Sequence, residues 1–368
     1  MTTNASPNQQ QLVLLGAGRA HVQTLKNLAR RGTGDVSVTL VTPYPHYVES
    51  EMLAGYVAGQ YPSTDLCVPL SSLVEMSGAD FAGAHVRSLD PVARQVRLSN
   101  GDTLSYDVLS IDLEPNADRQ AFETHMPGAR THAMFMHPRA TFMQLWPRLC
   151  ELAMERALHV AVIGDGLAAA EMAMTAAPVL AVPHGSRVTW IAGGAQGTPP
   201  PLAGEPSALA RRVLARLKRL HVTVLQDQCV GLDGQSAQLA SGASLQCDAP
   251  IITGGTGYPA WLLQSGLQLT DDGAPKVNER LQSESHRQIF IAPLDADAQY
   301  SPVLNANLWA ALTGGEFKTT PKIHRSRIAV SGQGQAIMLW GPFSLEGRFA
   351  WRMLNRGNHK RLAALLAQ

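Results

Sequence analysis

Two glycine clusters are the residues of this 368-residue chain whose types and spacing carry recognisable chemistry. The first reads Gly16-Ala17-Gly18-Arg19-Ala20-His21. Glycine at 16 permits a tight turn, and glycine at 18 lets the backbone come close to a diphosphate. The amides of a following helix, at Arg19, Ala20 and His21, would then face the anion. His21 stands where the usual pattern has a third glycine, which predicts a looser contact between helix and strand. It reads either as a neighbour of a cofactor or as a packed histidine at a helix start. The acid that ordinarily ends the second strand and holds a ribose is absent, and Thr42 takes that place. The second cluster reads Gly164-Asp165-Gly166-Leu167-Ala168-Ala169-Ala170-Glu171, with small Ala169 for the third glycine. Its second strand ends at Ile191-Ala192-Gly193, with neither an acid nor an arginine following, so NADH and NADPH are not distinguished.

Each cluster is placed where a strand meets a helix. Leu12 to Leu15 is a wholly apolar run that stops at Gly16, as a strand buried on both faces would. Val22, Leu25, Leu28 and Ala29 then recur at helical spacing, and Val36 to Val41 is the next strand. The arrangement repeats: strand 158–163, a small-residue helix 168–177, strand 187–191. Between the units, Asn100–Gly101 separates strand-like runs as a hairpin does. Residues 139–157 read as a helical connector interrupted near Trp146–Pro147. After a loop at Thr198-Pro-Pro-Pro comes a basic helix over 206–220. Short strands follow at 222–225, 250–252 and 288–292. Ser301–Pro302 starts a helix that Gly314 stops. The last fifty residues read as a strand pair around Ile328 and Ile337, then a basic helical tail that Gly357 would break.

Composition narrows the function classes. With 45% hydrophobic and 16% charged residues the chain can bury a sizeable core, and its length suits two or three domains. A net charge of +1 points to no nucleic-acid partner. Cys67, Cys150, Cys229 and Cys247 form no CxxC or CxxxxC pair, hence no redox disulfide motif and no metal-ligand spacing. Such scattered thiols suit a reduced, cytoplasmic chain. Residues 1–10 read as a flexible tail without a signal-peptide pattern, and no apolar run reaches membrane-spanning length.

The order and spacing of four segments are more specific than either glycine cluster: LVLLGAGRAHV at 12–22, SYDVLSIDL at 105–113, ITGGTGYPAWLLQSGL at 252–267 and VNERLQSESHRQIFIA at 277–292. Together they resemble the pyridine nucleotide–disulfide oxidoreductase superfamily, nearest its type II NADH dehydrogenase-like branch. The resemblance runs from residue 11 to about 355. It implies an α/β fold of two Rossmann-like domains, the NAD(P)-binding one inserted into the FAD-binding one. Residues 11–150 and 250–312 would form the FAD domain and 151–249 the NAD(P)H domain. Residues 313–368 would form a small C-terminal α+β region with the basic helix.

The same resemblance implies FAD at Gly16 and Gly18, NAD(P)H at Gly164, Gly166 and Leu167, and hydride transfer to flavin. Electrons would pass on to a quinone or another small-molecule acceptor. Glu171 matches an acid close to where nicotinamide meets flavin, and is the candidate catalytic residue. Asp295, displaced by one residue from the family's pattern, or Asp297, would hold the ribityl chain. Tyr300 and Ser301 would aim helix amides at the flavin ring. Two departures cluster at flavin contacts: Glu114-Pro115 follows YDVLSIDL where the family has glycine, and Pro293-Leu294 precedes Asp295. They leave open a second reading, a relative that keeps the fold without flavin redox chemistry. Arg348, Arg352, Arg356 and Lys360, four residues apart, share a helix face with no acid after Arg348. That face suits either an anionic membrane surface, with the enzyme peripheral on the cytoplasmic side, or a solvated helix on the core.

Overall fold

The structure is a computed structural model that describes residues 9–193, 201–271, 273–294, 299–321, 327–340 and 343–366. Along the chain, β1 (Gln10–Leu15) leads into α1 (Arg19–Arg31), then β2 (Val36–Val41), α2 (Ser50–Val57), β3 (Asp80–Ala82) and β4 (Val108–Ile111). Next come β5 (Met134–Phe135), α3 (Arg139–Glu155), β6 (His159–Ile163), α4 (Gly166–Leu180) and β7 (Arg187–Ile191). They are followed by α5 (Ser207–Arg219), β8 (Thr223–Leu225), β9 (Ala249–Ile252), β10 (Ile289–Ile291) and α6 (Tyr300–Thr313). The strands β11 (Arg327–Val330), β12 (Ala336–Trp340) and β13 (Phe343–Gly347) precede the final helix, α7 (Arg348–Leu366).

Two parallel five-stranded sheets carry the architecture. The first has the order β10-β4-β1-β2-β3 and the second β5-β9-β6-β7-β8. The first sheet is covered by helices on one face and by antiparallel strands over 86–105 on the other, which is why Leu12, Leu14, Leu15 and Leu40 are almost wholly enclosed. β1 is central, with β2 on one side and β4 on the other, so the order reverses across it and a crevice opens past the strands' carboxyl ends. Register aligns Leu15 with Val41 and with Ile111, so residues 16–18, 42–44 and 112–115 leave the sheet at one edge. β10 returns the chain to this first sheet after the whole second sheet has formed. The C-terminal strands make a separate antiparallel meander that packs on α4, α5 and α7.

Two helices differ from the sequence expectation. α3 runs unbroken through Pro147, although proline removes a donor four residues after Met143. The carbonyl left over is that of Met143, and the Tyr56 hydroxyl donates to it at 2.9 Å. A side chain from α2 therefore supplies the hydrogen bond the helix lacks. α7 likewise continues through Gly357. A mid-helix glycine costs only about 1 kcal/mol relative to alanine. On either side of it, the Tyr61 hydroxyl donates to Asn355 Oδ1 at 2.6 Å and Asn358 Nδ2 donates to the Glu51 carbonyl at 3.3 Å. Elsewhere the expected hairpin at Asn100–Gly101 is present, and α6 ends at Gly314 in the left-handed conformation, φ +75°.

Candidate dinucleotide site

A cavity with an empty volume of about 1210 Å³, mouth included, opens in the crevice past β1, β2 and β4. Its walls include Gly16, Ala17, Gly18, Arg19, Thr42, Tyr44, Tyr47, Asp112, Glu114, Arg139 and Trp261. A concave site of mixed apolar and polar lining at a switch point is the ordinary location for a ligand in an open α/β sheet.

The turn at its floor is held by backbone bonds to the neighbouring strands. Gly16 N donates to the Val41 carbonyl at 2.8 Å and Gly18 N to the Asp112 carbonyl at 3.0 Å. Gly16 has φ +88°, and a Cβ there would lie 2.4 Å from the Asp112 carbonyl oxygen. A Cβ on Gly18 would lie 2.2 Å from Asp112 Oδ1. Both glycines are thus required by contact with Asp112, a residue the sequence reading did not single out. Asp112 is buried, and its Oδ2 accepts from Ala20 N at 2.8 Å and His21 N at 3.1 Å. These amides belong to the open first turn of α1, so a carboxylate from the end of β4 already caps the helix. The signal in the sequence was an acid terminating an otherwise apolar strand, inside the segment SYDVLSIDL.

His21 replaces the third glycine without loosening the packing. Its ring is fully buried, with Nδ1 2.7 Å from the Gly16 carbonyl and Nε2 2.8 Å from Ser110 Oγ. A carbonyl only accepts, so Nδ1 carries the proton and the Ser110 hydroxyl donates to Nε2. Burial lowers the imidazole pKa, partly offset by the Asp112 charge and the Gly16 carbonyl, so the ring is neutral. It pins the glycine turn to β4 from behind the cavity.

The remaining polar walls are paired. The Arg19 guanidinium meets Glu49 at 3.1 Å and Glu51 at 3.9 Å, and the Tyr47 hydroxyl donates to Glu49 at 3.2 Å. Burial, and then the Glu49 charge, push the Tyr47 hydroxyl well above its ordinary range. Glu114, standing where glycine was expected, accepts from the Arg139 amide at 3.0 Å and its guanidinium at 3.3 Å. Arg139 N is the first amide of α3, so Glu114 caps that helix as Asp112 caps α1. Thr42 is buried at the end of β2, where its hydroxyl accepts from Tyr44 N at 3.3 Å.

The second glycine turn sits at the equivalent edge of the second sheet. Gly164, φ +145°, donates from its amide to Ile191 O at 3.2 Å, and its carbonyl accepts from Trp190 Nε1 at 2.8 Å. A Cβ there would lie 2.4 Å from Thr253 Oγ1. Gly166, φ +72°, opens α4 with clear space beside it, followed by half-buried Leu167. Glu171 lies further along α4 against β11, where Oε1 accepts from Val330 N at 2.5 Å. It retains some exposed surface, yet close packing desolvates the carboxyl and raises its pKa to about 7. Gly16, Gly18, Arg19 and Thr42 therefore line the cavity, while Ala20 and His21 support it from behind. Gly164, Gly166 and Leu167 form a separate turn, and Glu171 is held by the C-terminal meander. Ser301 is buried on α6, where its carbonyl accepts from Asn305 Nδ2 at 2.8 Å. The same amide group reaches Ala20 O at 3.3 Å, so Ser301 is tied to α1. Asp295 and Asp297 lie outside the described residues.

A family profile described as pyridine nucleotide-disulphide oxidoreductase matches residues 10–292. The chain belongs to that family. Its members matched here include the type II NADH:quinone oxidoreductase of Staphylococcus saprophyticus, 29% identical over 107 residues. That stretch is 29% of this chain and spans only 26% of the relative's length. Among solved structures, the sulfide:quinone oxidoreductase of Aquifex aeolicus superposes with a TM-score of 0.76 at 16% identity, covering 97% of this chain and 91% of that one. The NDH2 of Plasmodium falciparum in complex with NADH gives 0.74 at 12% identity, covering 96% and 95%. These likenesses confirm the two-sheet α/β fold expected from the duplicated glycine units. Among the thiols, Cys150 and Cys247 are both pushed up to about 11, chiefly by burial.

Proposed function

We propose that the protein is an FAD-dependent NAD(P)H oxidoreductase, with FAD in the cavity past β1 and NAD(P)H at the second glycine turn. The observation that carries this reading is the coincidence of the cavity with the glycine turn, at the point where the strand order reverses. Gly16, Ala17, Gly18 and Arg19 would face the diphosphate, Thr42 the adenosine ribose, and Tyr44, Glu114, Arg139 and Trp261 the flavin end. The cradle fits in donors, because Arg19 N at the first helical position has no intrahelical partner and Gly16, Ala17, Gly18 and Arg19 all line the cavity. Bound FAD would supply a two-electron acceptor for hydride from NAD(P)H and a donor to a quinone or other small acceptor.

The chain's own contribution is positional. The Gly16 turn, pinned by His21, fixes the cofactor's midpoint, and the walls at Trp261, Pro259 and Val41 keep water from it. Glu171, with its carboxyl near 7, holds or releases a proton on the α4 face at neutral pH. The expected bounds, 11–150 and 250–312 for FAD and 151–249 for NAD(P)H, need correcting at two strands, because β5 (Met134–Phe135) and β9 (Ala249–Ile252) pair into the second sheet and would go with the NAD(P)H side. One observation favours the second reading, a relative without flavin chemistry: both helix ends facing the cavity are already capped by Asp112 and Glu114. The test is an anaerobic one. Protein loaded with FAD and desalted should lose its visible flavin absorbance on adding NADH or NADPH, and the effective nucleotide names the donor. Retained flavin that neither nucleotide reduces would overturn the oxidoreductase reading.

A further inference from the structure

In a dinucleotide site of this kind, the first-turn amides of the helix and the bare backbone at the second glycine are the places that receive the diphosphate. In this protein both are taken by one side chain. Asp112 Oδ2 holds the amides of Ala20 and His21, and Oδ1 lies beside the Cα of Gly18, where a Cβ would come within 2.2 Å. The carboxylate is buried, lines the cavity, and belongs to a backbone segment fixed by Gly18 N and by its own amide on Leu15 O at 3.0 Å. Nor does a neighbouring cation compensate it. Arg19 is engaged with Glu49 and Glu51, Arg139 with Glu114, and His21 is neutral with both ring nitrogens occupied. A second anion entering the turn meets a like charge at close range inside a low-dielectric wall, where charge repulsion is weakly screened.

We propose that Asp112 is an internal stand-in for the cofactor's diphosphate. It completes the anion site at the start of α1, keeps the cavity in its binding shape, and sets dinucleotide affinity by competing for the same amides. The proposal rests on the reading of the cavity as an FAD site, but it concerns the anion position alone. It assigns Asp112 the part of an affinity-setting residue, which withdraws from the Ala20 and His21 amides when a diphosphate enters.

The experiment compares the full-length protein with Asp112→Asn, which keeps the acceptor and removes the charge, and Asp112→Ala, which also frees the amides. FAD and riboflavin binding are measured by fluorescence titration, and melting temperature is measured with and without inorganic pyrophosphate. FAD should bind about tenfold or more tightly to Asp112→Asn than to the parent chain, and at least as tightly again to Asp112→Ala. Riboflavin, which has no diphosphate, should change by less than about twofold. Pyrophosphate should raise the melting temperature of Asp112→Ala and leave the parent unmoved. Unchanged or weaker FAD binding in a folded Asp112→Asn, with no response of either variant to pyrophosphate, overturns the proposal. If no chain binds FAD yet pyrophosphate stabilises Asp112→Ala, the anion-site proposal stands and the flavin reading falls.

Discussion

At the scale of single residues, the site depends on a few buried polar groups with fixed partners. His21 is the plainest case. Truncating it to alanine leaves a cavity and strips the Gly16 carbonyl and Ser110 hydroxyl of their partner, at an expected cost of about 2–4 kcal/mol in a urea unfolding series. Its pH behaviour has a definite sign. The folded-state pKa lies below the ordinary 6.5, so the unfolded chain takes up the proton first. Its contribution is complete above 6.5 and is lost as the pH falls below that value. Glu171 acts in the opposite sense. Its folded-state pKa is about 7 against an ordinary 4.5, so stability falls as the pH rises through that interval. Glu171→Gln should flatten this part of the profile in thermal melts; an unchanged slope would show that the carboxyl is not desolvated. Gly18→Ala should be strongly destabilising, and Asp112→Gly in the same chain should recover part of the loss, because the clash is with that carboxylate.

At the scale of elements, the sequence was legible wherever periodicity and punctuation decide. The apolar strands, both glycine turns and the Asn100–Gly101 hairpin are local signals and stand where they were read, whereas α6 begins at Tyr300 after Gln299, so Ser301 is inside it and does not cap it. Tertiary partners explain the failures. Pro147 does not break α3 because Tyr56, 87 residues before Met143, supplies the bond to the Met143 carbonyl. Tyr56→Phe should therefore cost about 1–3 kcal/mol, seen as a lowered denaturation midpoint. Asp112 escaped the reading for the same reason, since its role appears only when β4 is laid beside α1. The final helix presents another element-scale test. Ala350, Leu354, Asn358 and Leu362 face the core, while Phe349 and Met353 stand exposed among Arg348, Arg352, Arg356 and Lys360. No described helix is long and apolar enough to cross a membrane. Apolar side chains seated between basic ones are what an anionic surface would engage, and a solvated helix on the core is the alternative. The protein should co-sediment with anionic vesicles and not with neutral ones, and Arg352→Glu with Arg356→Glu should abolish this; equal recovery with both vesicle types would argue for a merely solvated face.

At the scale of the whole molecule, the two glycine units read from sequence became two parallel sheets, with β10 and α6 returning the chain to the first. That return places the late segment beside β4 and closes the wall behind the cavity, an arrangement visible in sequence only through the spacing of four family-like segments. The central claim is that this cavity takes FAD, and the most direct measurement is FAD uptake at equilibrium with excess cofactor. It compares the parent chain with Ala17→Trp, whose indole would occupy the space beside the glycine turn. The account predicts about one FAD bound per parent chain and none per Ala17→Trp chain of similar melting temperature. No uptake by the parent chain, or uptake that Ala17→Trp leaves unchanged, would contradict it.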